Sequence, residues 1–217
     1  SQQQEGMMRD LVRWMAVEMC FKPVFTDMTF QKAQEAVLSG EADILTSLFF
    51  SDKRKERFHF TEPLFDVPAS IFVRAERTDI KGIQDLNGKV IAIQKGDYAK
   101  DFLESLNIRF ETLYTLDFGE ATDMVIAGKA DAVIGDEQIV LYHIFSRRLS
   151  SYVKKMEEPL YVGKNCMASN KSNAMLIGIL NKGIREARRS GVLTKTYTKW
   201  LGVQFPSSGN SFLDRYF

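Results

Sequence analysis

Histidine and cysteine are scarce: the 217-residue chain holds two of each. His59 and His143 are far apart and have no cysteine partners, so the usual zinc-ligand spacings cannot be assembled. Cys20 and Cys166 allow one bridge at most and stand in no metal-ligand spacing. They read as two buried thiols, with a disulfide between them left open. Charge of one sign is lacking too, since 29 basic and 28 acidic residues leave +1. That balance argues against nucleic acid or an anionic membrane face as the main partner. No apolar run comes near the roughly 18 residues of a membrane-spanning helix. The polar start, Ser1-Gln-Gln-Gln-Glu5, has no signal-peptide character, so an export signal is expected outside this sequence. An activated nucleophile, a metal cluster and paired acids at a recognisable spacing are all missing, and catalysis needs such groups in mutual reach. Nothing in the motifs requires a cofactor.

What is present is apolar material in short, regular pieces. An apolar content of 45% can fill the core of one large or two modest domains. Met8, Leu11, Val12, Met15, Ala16 and Met19 recur at three- and four-residue steps, one face of an amphipathic helix. Pro23 excludes its continuation, and residues 22–25 read as a strand. Thr29 is a candidate cap for a helix over 30–38 that Gly40 closes. Strands are expected at 43–48, 69–74, 89–93, 109–112 and 132–134, and helices at 98–106, 118–127 and 137–145. Short strands at 152–155 and 165–168 precede closing helices at 174–190 and 193–200, which Gly191 separates. This alternation predicts an α/β fold with largely parallel sheets. There is also an internal echo: Val37-Leu-Ser-Gly-Glu-Ala-Asp-Ile-Leu45 against Val125-Ile-Ala-Gly-Lys-Ala-Asp-Ala-Val133. Both copies read helix, glycine cap, charged residue, Ala-Asp, strand, as two similar lobes would. Ligands of open α/β sheets bind beyond the strand C-termini, so two facing lobes would make a cleft.

The stretch 42–65 organises the chain. An apolar run ends in Ser51-Asp-Lys-Arg54, then Phe58-His-Phe-Thr-Glu-Pro63. A strand that ends in a hydroxyl, with an arginine three residues on, can receive an anion. Ser51 and loop amides bond one oxygen, and the Arg54 guanidinium grips a carboxylate with two donors. A solvated charge run from Lys53 to Arg57 is the alternative, and Arg57 itself reads as solvated. Gly96-Asp97-Tyr98 opens a helix after a strand, a geometry suited to anions, though the Asp97 carboxylate would itself cap that helix.

Ser51-x-x-Arg54 followed by Phe60-Thr-Glu-Pro63 resembles the signature of the bacterial extracellular solute-binding proteins, family 3. Residues 35–44, 85–96 and 130–136, and the ending Gly191-Val-Leu-Thr-Lys-Thr-Tyr-Thr-Lys-Trp-Leu-Gly202, fit the family pattern in order, from about Gly6 to Gly202. The resemblance implies a type II clamshell, each lobe a mostly parallel sheet flanked by helices. Lobe 1 would be 1–76 with 162–217, lobe 2 would be 77–161, and the hinge crossings would lie near 74–78 and 159–163. It implies that Arg54 binds a ligand α-carboxylate, Asp136 an α-ammonium, and Phe30 stacks on the ligand side chain; Gln94 is a weaker candidate at a strand end. The chain departs from the pattern in places. Ser47 and Phe49 stand where the family has Gly and a hydroxyl, and narrow the pocket. Asp97 replaces a Ser or Thr, and would repel a carboxylate or bind an ammonium. The first strand of lobe 1 is missing before the first helix, and the tail 203–217, with Phe205, Phe212, Tyr216 and Phe217, could fill the gap or lead to a membrane segment.

The resulting expectation is a periplasmic or extracytoplasmic module, membrane-tethered in some settings, that binds an amino-acid-like charged solute. It would serve a histidine kinase or diguanylate cyclase receptor, or else an ABC permease as a free receptor. An enzyme of this fold, such as a dehydratase or a domain ahead of a lytic transglycosylase, is the third reading.

Overall fold

The computed structural model describes residues 6–202; the tail 203–217 lies outside the described residues. The elements in order are α1 (Met7–Glu18), α2 (Phe30–Ser39), β1 (Ile44–Phe49), α3 (Asp52–Lys55), β2 (Phe58–Phe60), β3 (Phe65–Arg74), a 3-10 turn (Ile83–Leu86), β4 (Val90–Gln94), α4 (Tyr98–Ser105), β5 (Glu111–Thr115), α5 (Phe118–Ile126), β6 (Ala132–Asp136), α6 (Glu137–Ser146), β7 (Val153–Lys155), β8 (Tyr161–Asn170), α7 (Ala174–Arg189) and α8 (Val192–Leu201). By packing the chain divides into two units. Unit 1 takes Ser1–Asp27, Ala36–Asp66 and Lys164–Phe217; unit 2 takes Met28–Glu35 and Val67–Gly163. The chain changes unit inside β3 and again inside β8.

Side-chain alternation builds unit 2. Ile71 and Val73 of β3, Ile91 and Ile93 of β4, and Ala132 and Ile134 of β6 share one face with Ala99 and Leu103 of α4. The intervening Phe72, Ala92 and Val133 share the other with Phe118, Ala121 and Val125 of α5 and Val140 and Ile144 of α6. Strands covered on both faces read as unbroken apolar runs, which is why they stood out in the sequence. β4 is parallel to both β5 and β6. β6 and β7 run antiparallel to β3. Gly135 permits the close seat of α5 on β6, since a Cβ there would lie 2.2 Å from the Phe118 ring.

In unit 1, β1 and β2 flank β8 and both run antiparallel to it, because β8 is the strand on which the chain returns from unit 2. Parallel pairing is therefore a feature of unit 2, not of the described pairs in unit 1. α1, α7 and α8 pack together, and Gly183 of α7 allows the approach to Met15 of α1. The Trp200 indole donates to the Asp10 carboxylate at 2.9 Å, and Lys199 donates to the same oxygen at 2.7 Å.

Three expectations need correction. Residues 22–25 form no strand. Phe25 instead lies under the guanidinium groups of Arg9 and Arg13, 4.8 and 5.5 Å from its ring centre, so cation–π contacts hold the segment on α1 without a ladder. Residues 58–60, for which no element was expected, form β2, because Phe58 and Phe60 register against Asn170 and Ala168 of β8. Cys20, read as buried, is an exposed thiol just past α1, where the backbone turns with φ 56°, whereas Cys166 is buried; both are free.

The echoed segments adopt the same local structure. α2 and α5 each end on a left-handed glycine, Gly40 at φ 83° and Gly128 at φ 71°. In each, an amide reaches back six residues to the helix: Ala42 N–H to Ala36 C=O at 3.1 Å, and Ala130 N–H to Met124 C=O at 3.2 Å.

Candidate functional site

In unit 1 the local sequence winds the end of β1 into a short helix. Ser51, in extended conformation, caps α3, its Oγ accepting the Arg54 amide at 3.2 Å. This turn carries the Arg54 side chain back beneath its own strand, where Nη1 donates to the Phe49 carbonyl at 2.9 Å. Arg54 is buried, at 7% exposure, while Arg57 is exposed. Ser47 Oγ donates to Asn165 Oδ1 at 3.0 Å, and Phe49 stands opposite Asn165 in the β1–β8 register. Ser47, Phe49, Ser51 and Arg54 thus gather at the C-terminal end of β1.

In unit 2 two carboxylates gather at the C-terminal ends of β4 and β6. Asp97 caps α4, its carboxylate accepting the Ala99 amide at 2.8 Å. Asp136 caps α6, accepting the amides of Gln138 and Ile139 at 3.0 and 3.2 Å. Burial pushes the Asp136 carboxyl up to about 7; the amide bonds work against this, and the charges of Asp97 and Glu137 add to it. Glu137 has its own partners, a bond from Ser70 Oγ at 2.6 Å and an ion pair with Lys155 at 3.3 Å. Tyr98, the first residue of α4, meets Tyr161 edge-on at 5.3 Å, and Phe102 lies 4.6 Å from Tyr161. Gln94 ends β4, its amide donating at 3.4 Å to the Leu116 carbonyl. Phe30 opens α2 within segment Met28–Glu35, which packs with unit 2; Gln34 donates from that segment to the Gly96 carbonyl at 3.0 Å.

Two polar residues were not singled out from the sequence. Asn165, buried on β8, takes the Ser47 hydroxyl. Thr115 ends β5 opposite Gln94, its buried hydroxyl without a hydrogen-bond partner among the described residues. Neither sits in a motif, and a threonine in a strand reads as ordinary strand propensity.

The chain matches one family over residues 1–203. It belongs to the bacterial extracellular solute-binding proteins, family 3. A Vibrio harveyi protein named as an amino-acid ABC transporter-binding protein, PatH, is 29% identical over 176 residues, covering 76% of this chain and 67% of that one. The match to the Bacillus subtilis protein named as a probable amino-acid-binding protein, YxeM, 28% identical, covers 75% of this chain and 62% of that one, so the chain spans about two thirds of the length of these two relatives. The crystal structure of a histidine kinase sensor domain with similarity to periplasmic binding proteins superposes with TM-score 0.86 at 24% identity, covering 93% of this chain and 88% of that one. An ancestral arginine-binding protein bound to glutamine superposes with TM-score 0.83 at 25% identity, covering 94% and 91%. The fold is that of the type II periplasmic binding proteins.

Proposed function

We propose that this family 3 chain is an extracytoplasmic module that binds an amino-acid-like solute with a cationic group. Asp136 carries the reading: its carboxylate sits at a strand end beside the charge of Asp97, and no cation pairs with it among the described residues. A ligand α-ammonium supplies that cation. Arg54 and Ser51 hold the α-carboxylate, Phe30 and Tyr98 flank the side chain, and Gln94 contributes at the rim. Asp97 favours a second cationic group or a polar zwitterion. Ser47 and Phe49 narrow the pocket. The lobes 1–76 with 162–217 and 77–161 close on the solute through hinges near 74–78 and 159–163.

The module serves as the sensory part of a membrane receptor of histidine kinase or diguanylate cyclase type. The PatH match favours a second reading, a free receptor that delivers to an ABC permease. The full-length product separates them: a downstream transmembrane helix and signalling domain fit the first, a lone export or lipoprotein signal the second.

Calorimetry tests the site. Arginine, lysine or glutamine is expected to bind, and Arg54→Gln or Asp136→Asn to weaken binding by about 100-fold, as expected for loss of one partner of a buried charged hydrogen bond. Binding of glutamate and aspartate alone would overturn the reading.

A further inference from the structure

Unit 1 carries a groove of about 660 Å³. Phe50 and Phe60 supply its apolar wall, and His59, Lys55, Lys164 and Lys171 its polar rim. Phe50 meets Phe60 edge-on at 5.2 Å and remains 37% exposed, an uncovered ring beside an open cavity. No carboxylate lines the groove, and none of its three lysines forms an ion pair among the described residues. Three lysines on the rim of an aromatic-walled groove with no carboxylate in its lining favour the entry of an anion.

The groove is not the site built around Arg54. Successive side chains of a strand point to opposite faces. On β8, Asn165 turns toward Ser47, while Lys164 and Cys166 turn to the groove. Burial pushes the Cys166 thiol up to about 12, so it stays protonated and the groove binds without reacting. A cavity of about 150 Å³ already admits benzene, so this groove has room for a bicyclic ring and water.

We propose that the groove is a second binding site, for a small aromatic carboxylate. The ring lies against Phe50 and Phe60, and the carboxylate among the three lysines. The whole chain titrated with 2-naphthoate tests this. One naphthoate is expected to bind, also in Arg54→Ala, and Lys164→Gln/Lys171→Gln is expected to weaken it by about tenfold. The ammonium analogue, 2-naphthylmethylamine, is expected not to bind. The proposal is overturned by no naphthoate binding, by equal binding in the double variant, by loss in Arg54→Ala, or by equal binding of the amine.

Discussion

Asp136 accepts two amide hydrogen bonds, which favour its charge, yet its carboxyl sits near 7 because burial outweighs them. This couples stability to pH. The unfolded carboxyl ionises near the ordinary aspartate value of 3.8. Between that value and about 7 the unfolded chain gives up a proton that the folded one keeps, so stability falls as pH rises through this window and levels off above it. Asparagine keeps an oxygen for both amides and removes the charge. Asp136→Asn is therefore expected to match wild type near pH 4 and to melt at higher temperature at pH 8. The ceiling is about 4 kcal/mol from the size of the shift, and water access to this partly exposed group lowers it. A thermal-melt series across pH checks this; equal shifts at both pH values would contradict it. At this scale legibility followed sequence distance. Ser51 and Arg54, three apart, announced their own cap, whereas Ser47 finds its partner on a strand more than a hundred residues away, which no local pattern reveals.

Among the elements, helices closed by glycine were the most legible. Gly40 and Gly128 sit in the left-handed conformation that only glycine adopts cheaply. A Cβ at Gly40 meets nothing within 4 Å, so Gly40→Ala isolates the backbone term and is expected to cost about 1 kcal/mol in urea denaturation. Gly135→Ala adds a collision with the Phe118 ring, and about 3 kcal/mol is expected. If the two cost the same, the packing assigned to Gly135 is wrong. Pairing was harder to read. Residues 22–25 have strand-like composition, but arginine stacking takes their aromatic ring; β2 is three residues long and is fixed only by its register on β8. Helix–strand alternation gave the fold class, yet strand direction depends on where the chain returns, which is why β1 and β2 run antiparallel to β8.

For the whole molecule, the two echoed helix–glycine–strand stretches take matching caps, Gly40 in unit 1 and Gly128 in unit 2. The packing units change at Asp27/Met28, at Glu35/Ala36, at Asp66/Val67 inside β3 and at Gly163/Lys164 inside β8, and the hinges near 74–78 and 159–163 are proposed from the family pattern. If those hinges close on a solute, the radius of gyration from solution scattering should fall when a binding amino acid is added in excess, and not in Asp136→Asn at the same concentration. An unchanged radius with proven binding would count against closure.

The indole of Trp200 rests on the Asp10 carboxylate, which Lys199 and that indole hold below the ordinary carboxylate range. Both tryptophans of the chain, Trp14 and Trp200, belong to unit 1. Emission excited at the red edge of tyrosine absorption therefore reports on one half of the molecule alone, and acid quenching of that glow would date the loss of the α1–α8 clasp separately from any event at Asp136.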